Sequence, residues 1–240
     1  MTDIFREVEE EVRRERFEQL WKEYGDYVIA GAALIVIAAA GFQLWRVYEQ
    51  RQATKASVTY VAAQQLLEEH QPGAAGMVFG KLADTAPGGY AQISLLQKAN
   101  ALYAAGNIPE AVEIYKQVAA KGDVLLAPVA RIRAGWASVD NAPRSDIEAL
   151  LKPLLDPTNP WHPMAREILA YADYKSGDTT KALEEFRAVA KDKDSPSAAR
   201  QRSQAMATYL AAGGDENSGV VPPPRPVPNA SAPAQGAQQQ

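Results

Sequence analysis

Residues 27–45 read YVIAGAALIVIAAAGFQLW, nineteen in a row without a charge and with a single polar amide, Gln43, near the end. Wound as a helix, such a run rises about 28 Å, close to the ~30 Å hydrocarbon thickness of a bilayer. Tyr27 stands at one end and Trp45 and Tyr48 at the other, where rings with a polar edge favour the lipid–water boundary. Asp26 and Arg46 close the run on its two sides. A core helix of a soluble domain would keep a polar stripe. A cleaved secretion signal is the sharper rival, because Ala38-Ala39-Ala40 before Gly41 has the small-residue pattern of a cleavage site. Such signals carry a short basic leader, however, and the preceding 26 residues hold nine acids against five bases. The run is read as a retained single membrane span, assigned to 27–48.

Ahead of it, 1–26 reads as a helix. Ile4, Phe5, Val8 and Val12, then Phe17, Leu20, Trp21 and Tyr24, fall three and four apart and draw two short apolar stripes. Its acidic balance argues against lying on an anionic lipid surface, which recruits Lys and Arg. Flanking charge does not orient the span. Arg13, Arg14, Arg16 and Lys22 precede it and Arg46, Arg51 and Lys55 follow, a bias too slight for the positive-inside rule. Small residues at Ala30–Ala33 and Ala38–Gly41 are spaced for helix contact but form no GxxxG, a weak pointer to dimerisation.

After the span the period of apolar residues is helical throughout, with no alternating strand pattern. Turn residues recur at Gln71-Pro72-Gly73, Ala86-Pro87-Gly88-Gly89, Gly106-Asn107, Lys121-Gly122-Asp123, Asn141-Ala142-Pro143, Asp156-Pro157, Ser176-Gly177-Asp178 and Asp194-Ser195-Pro196. Self-alignment gives one hairpin through Ala99, Leu102, Gly106, Ala111 and Tyr115, and another through Ala170, Gly177, Ala182 and Phe186. Ala63, Leu66, Ala75 and Phe79 supply an earlier copy; a degenerate one carries Ala149 and places Pro153 inside its second helix. Alanines at 75, 111, 149 and 182 are 36, 38 and 33 residues apart, around the ~34 of a tetratricopeptide unit. One hairpin cannot bury its apolar face alone, so four are expected to stack over 49–212, with Ser197 to Leu210 as a capping helix. The fold class is all-α. An irregular helical bundle without true repeats is the competing reading.

From 213 onward GGDENSGVVPPPRPVPNASAPAQGAQQQ has too few large apolar residues for a core and reads as a disordered, partly polyproline tail. Asn229-Ala230-Ser231 matches a glycosylation sequon, a three-residue pattern common by chance.

The chemistry available is narrow. The chain has no cysteine, two histidines and a formal net charge of −4, which gives a nucleic-acid partner no electrostatic support. No phosphate loop, metal-spacing cluster or nucleophile elbow is present, so no catalytic, metal or cofactor residue is assigned and an enzyme is not expected. His70, after Glu68 and Glu69 at a helix end, and His162 at a helix start read as structural or surface residues. The candidate site is a protein-binding groove lined by each hairpin's first helix: Tyr60, Gln64, Leu67, Ile93, Leu96, Asn100, Tyr103, Tyr171 and Tyr174. Aromatic and adaptable polar side chains suit capture of a peptide or helix.

The order of these parts resembles a known family. An acidic leading helix, a span ending in Leu44-Trp45-Arg46-Val47-Tyr48 and tetratricopeptide-like repeats are similar to the YfgM-like ancillary subunits of the SecYEG translocon. Pro153-Leu154-Leu155-Asp156-Pro157, Asn159-Pro160-Trp161 and Ala165-Arg166-Glu167-Ile168-Leu169-Ala170 point to the alphaproteobacterial branch, over roughly 1–212. The resemblance implies a bacterial inner-membrane protein with a cytoplasmic N-terminus and periplasmic repeats. Its implied partners are translocon subunits, a membrane-anchored periplasmic chaperone and emerging secreted chains. The family carries no catalytic residues.

Overall fold

The computed structural model describes residues 3–214 and Pro226, with side chains from Trp21 onward except at 23, 25 and 28. The stripes from Ile4 to Leu20 and nearly all of the expected disordered tail lie outside the described side chains or residues. Every described element is helical: α1 (Asp3–Glu68), α2 (Pro72–Thr85), α3 (Gly89–Ala104), α4 (Ile108–Lys121), α5 (Leu126–Ser138), α6 (Arg144–Leu151), α7 (His162–Lys175), α8 (Thr179–Lys191) and α9 (Ser197–Ala211). The chain divides into two compact units, 1–52 and 53–240.

The first unit is the leading part of α1. The segments separated in sequence at 26/27 and 48/49 belong to this one helix, which contains no proline to stop it. Beginning at Ile29 it is long and apolar enough to cross a membrane, and none of its apolar window is buried by the rest of the chain. Leu34, Ile35, Val36, Ile37, Phe42, Leu44 and Trp45 are all exposed.

In the second unit, the last turns of α1 pair with α2, α3 with α4, α5 with α6 and α7 with α8, while α9 packs on α8 and α7. The structure corrects the repeat register. Ala149 is exposed, whereas Ile147 and Leu151 are buried, the same four-residue pair as Ala75/Phe79, Ala111/Tyr115 and Ala182/Phe186. The true second-helix series is 75, 111, 147 and 182, spaced 36, 36 and 35. The first helices keep the same beat with Ala63, Ala99, Gly135 and Ala170, all buried. A Cβ on Gly135 would stand 3.2 Å from Ile168 Cδ1 and 3.5 Å from Leu151 Cδ2, so a larger residue at this crossing would press on Ile168. The glycine removes volume opposite a hairpin whose second helix carries branched side chains, which conserves the total filling. Pro153 is likewise outside α6: the helix stops at Leu151 and the chain tightens into a 3-10 turn, Lys152–Leu154, with Pro153 near its start.

The hairpin turns follow from local chemistry. At Gly106 and Gly177 φ is +83° and +86°, the left-handed conformation that glycine adopts without steric cost. Each is followed by paired closing bonds: Gly106 N–H donates to Tyr103 and Asn107 N–H to Leu102, and Gly177 N–H donates to Tyr174 and Asp178 N–H to Asp173. The end of α1 makes the same closure with His70 at φ +60°, its N–H donating to Leu67 and that of Gln71 to Leu66. His70 thus holds a position that glycine usually takes, a structural role at the helix end.

Candidate functional site

Of the nine residues expected along a groove, five are partly buried and keep some exposed surface: Tyr60, Gln64, Leu67, Ile93 and Tyr103. The other four, Leu96, Asn100, Tyr171 and Tyr174, are each under a tenth exposed and pack between helices. The difference arises because a first helix in a stacked hairpin has neighbours on three sides, so a position on its inner face is open only where the next helix leaves it.

The first two repeats bring Tyr60, Gln64 and Asn100 together through a chain of side-chain hydrogen bonds. Gln64 Nε2 and Gln97 Nε2 donate to the Tyr60 hydroxyl over 3.1 and 3.0 Å. Gln97 Oε1 accepts from Asn100 Nδ2, and Asn100 Oδ1 accepts from the Tyr115 hydroxyl over 2.7 Å and from Arg133. The chain links α1, α3, α4 and α5. Burial pushes the Tyr115 phenol up to about 12, so it remains a donor across the working pH range. The Tyr60 ring is wedged edge-on against Phe79 at 5.3 Å and Tyr90 at 6.2 Å between centroids. Tyr60 and Gln64 therefore present a fixed surface, with their rotamers set from beneath. Gln97 and Arg133 were not among the residues read from sequence; the available signal was Gln97 one turn before Asn100 on the same helix face.

Tyr171 and Tyr174 sit in a separate core spanning α5 to α9. Tyr171 lies edge-on between Trp136 and Phe186, 5.0 Å from each, and Tyr174 meets Tyr209 at 6.3 Å. Two buried carboxylates tie this core. Asp173 Oδ1 accepts from Arg144 Nε at 2.5 Å and Lys181 Nζ at 3.0 Å. Glu167, fully buried, takes a two-pronged bond from Arg202 on α9 at 2.7 and 2.8 Å. Its carboxyl is raised above the ordinary range by desolvation, against the pull of Arg202. These pairs fasten helices to one another. Among the described residues, no group of three His, Asp or Glu side chains could hold a metal ion.

Residues 18–154 match the model of the tetratricopeptide repeat-like domain family. The chain belongs to that family. The match takes in the apolar run as well as the first two hairpins and α5–α6, and domains of this kind are protein-interaction modules. No curated protein and no solved structure matches the chain.

Proposed function

We propose that this is a single-pass membrane adaptor whose repeat domain holds partner proteins on the periplasmic side of a bacterial inner membrane, with the N-terminus cytoplasmic. The observation that carries the binding role is the partly exposed set Tyr60, Gln64, Leu67, Ile93 and Tyr103 on successive first helices, of which Tyr60 and Gln64 are held by the polar chain. A rigid aromatic and amide surface loses little side-chain entropy when a partner docks. The anchoring role is supported by the exposed apolar length of α1. Partners among translocon subunits, a periplasmic chaperone and newly secreted chains follow from the sequence resemblance. The mechanism is positioning: tethering beside a partner converts a bimolecular encounter into a local one and can strengthen apparent affinity about 10²–10⁴-fold.

Crosslinking in native membranes followed by affinity capture tests the reading, with translocon subunits and a periplasmic chaperone as the expected products. Capture of only division or envelope-assembly proteins would replace it with a structural scaffold. Protease added to spheroplasts is expected to digest the repeat domain, and a protected domain would reverse the orientation. Leu67→Ala with Tyr103→Ala should reduce capture without loss of helicity.

A further inference from the structure

Gly213 and Gly214 end α9 so that the C-terminal segment starts against the repeat unit. Gly213 takes φ +84°, its N–H donates to Leu210 and that of Gly214 to Tyr209. Gly214 is buried, and a Cβ there would stand 2.6 Å from the Tyr209 ring, so residue 214 lies in contact with that ring. Tyr209 meets Tyr174 edge-on at 6.3 Å. Tyr174 belongs to a line of equivalent positions near the end of each first helix: Leu67, Tyr103, Val139 and Tyr174, spaced 36, 36 and 35 like the second-helix series. Val139 and Tyr174 are buried, whereas Tyr103 and Leu67 keep exposed surface.

The length of the segment matches this line. α9, α7, α5 and α3 touch in succession, and α3 bonds to α1 through Gln97 and Tyr60. At about 8–10 Å between touching helices, Tyr103 stands about 24–30 Å and Leu67 about 32–40 Å from where the segment leaves α9. The run from Pro222 to Pro228 begins eight and ends fourteen residues beyond Gly214. At the polyproline rise of about 3.1 Å per residue it would span about 25–43 Å from Gly214, past the buried positions and level with the two open ones. Pro226, inside the run, is itself partly buried. Prolines lack N–H groups and have a preset backbone, so they dock on aromatic and apolar surface at little entropic cost. Arg225 is the run's one charge, and Glu68 and Glu69, exposed beside Leu67, carry the opposite sign.

We propose that this run is the repeat unit's own ligand: it lies across Tyr103 and Leu67, with Arg225 beside Glu68 and Glu69, and a partner protein docks by displacing it. The proposal rests on the reading of that surface as the partner-binding site. A run that occupies the surface about nine-tenths of the time lowers apparent partner affinity about tenfold, so capture requires a partner that outcompetes it.

The chain has no cysteine, so paired cysteines report the contact in the full chain in detergent. Val227→Cys is combined either with Ala104→Cys, exposed beside Tyr103, or with Gln201→Cys, exposed on α9, and disulfide formation within single chains is timed under mild oxidation. Gln201 is about 20 Å back along α9 from Gly214, so it is the nearer target for an unattached segment. The expected result is the reverse, with 104–227 closing about tenfold faster than 201–227 and slowed when Arg225→Glu is added. Arg225→Glu alone should raise partner capture from native membranes. Equal rates, or faster closure at 201, overturn the inference, as does a 104–227 disulfide that joins two chains. Fast 104–227 closure with capture unchanged by Arg225→Glu refutes the displacement. Leu67→Ala with Tyr103→Ala reports separately: if that variant captures partners as well as the native chain does, the binding-site reading fails, whatever the closure rates.

Discussion

Removing the guanidinium of Arg202 isolates what the buried Glu167 carboxylate costs this fold. Arg202→Met keeps the apolar stem of the side chain that crosses from α9 to α7 but deletes both bonds, at 2.7 and 2.8 Å, and the positive charge. Glu167 has no solvent-exposed surface, so the carboxylate is left without a counter-ion in the interior. Breaking one side of such a pair costs about 3–5 kcal/mol, a third or more of a typical domain's stability. For a repeat unit of this size that corresponds to a fall of about 6–20 °C in Tm. The pH dependence separates charge from packing. The folded-state pKa of Glu167 is already raised by burial, and Arg202 is the group that opposes the rise. A raised carboxylate contributes stability that is present at low pH and lost as pH climbs through the folded value. Without Arg202 that value climbs further, so the deficit of Arg202→Met should be large at pH 7.5 and shrink towards pH 4.5. Glu167→Gln combined with Arg202→Met should recover much of the loss at neutral pH, because no charge then remains buried. Thermal denaturation of the full chain in detergent, followed by far-UV circular dichroism at both pH values, supplies the comparison. A deficit of under about 1 kcal/mol, the size of a surface pair, or one independent of pH, would refute the argument.

Other substitutions test the turns, the register and the polar chain. His70→Gly should raise stability by about 0.5–1 kcal/mol in the same melts, since a side chain at φ +60° carries a steric penalty that exceeds glycine's entropic one. Ile147→Ala should lose about 2–5 kcal/mol while Ala149→Glu stays within about 0.5 kcal/mol, the reverse of what a register built on Ala149 requires. Tyr115→Phe should lose about 0.5–1.5 kcal/mol because Asn100 Oδ1 keeps Arg133, whereas Asn100→Ala, which orphans several partners at once, should lose more.

The features written in the sequence as residue types at fixed spacing were the easiest to read. The apolar run of α1 needs only its length and lack of charge, and the paired glycines at 106 and 177 mark helix ends because few other residues adopt that backbone. The third hairpin reads two residues out of place in the sequence because small residues along one helix do not mark its crossing. The size relation that governs the packing is shared across two helices: Gly135 makes the space that Ala149 was expected to leave. Tyr171 and Asn100 were assigned to an open face by the period alone. Whether a helical position is open depends on the helices that pack over it, here α5 and α8 for Tyr171 and α4 and α5 for Asn100. The polar chain is hidden for the same reason, as its links between helices join residues 15 to 37 apart along the chain.

Three separate apolar cores, one shared by α1–α3, one by α3–α5 and one by α5–α9, run in series along the repeat unit. In such a series each core is held chiefly by its own hairpins and the next, so opening can begin at one end without releasing the rest, and amide exchange should report graded protection along the unit in place of a single value.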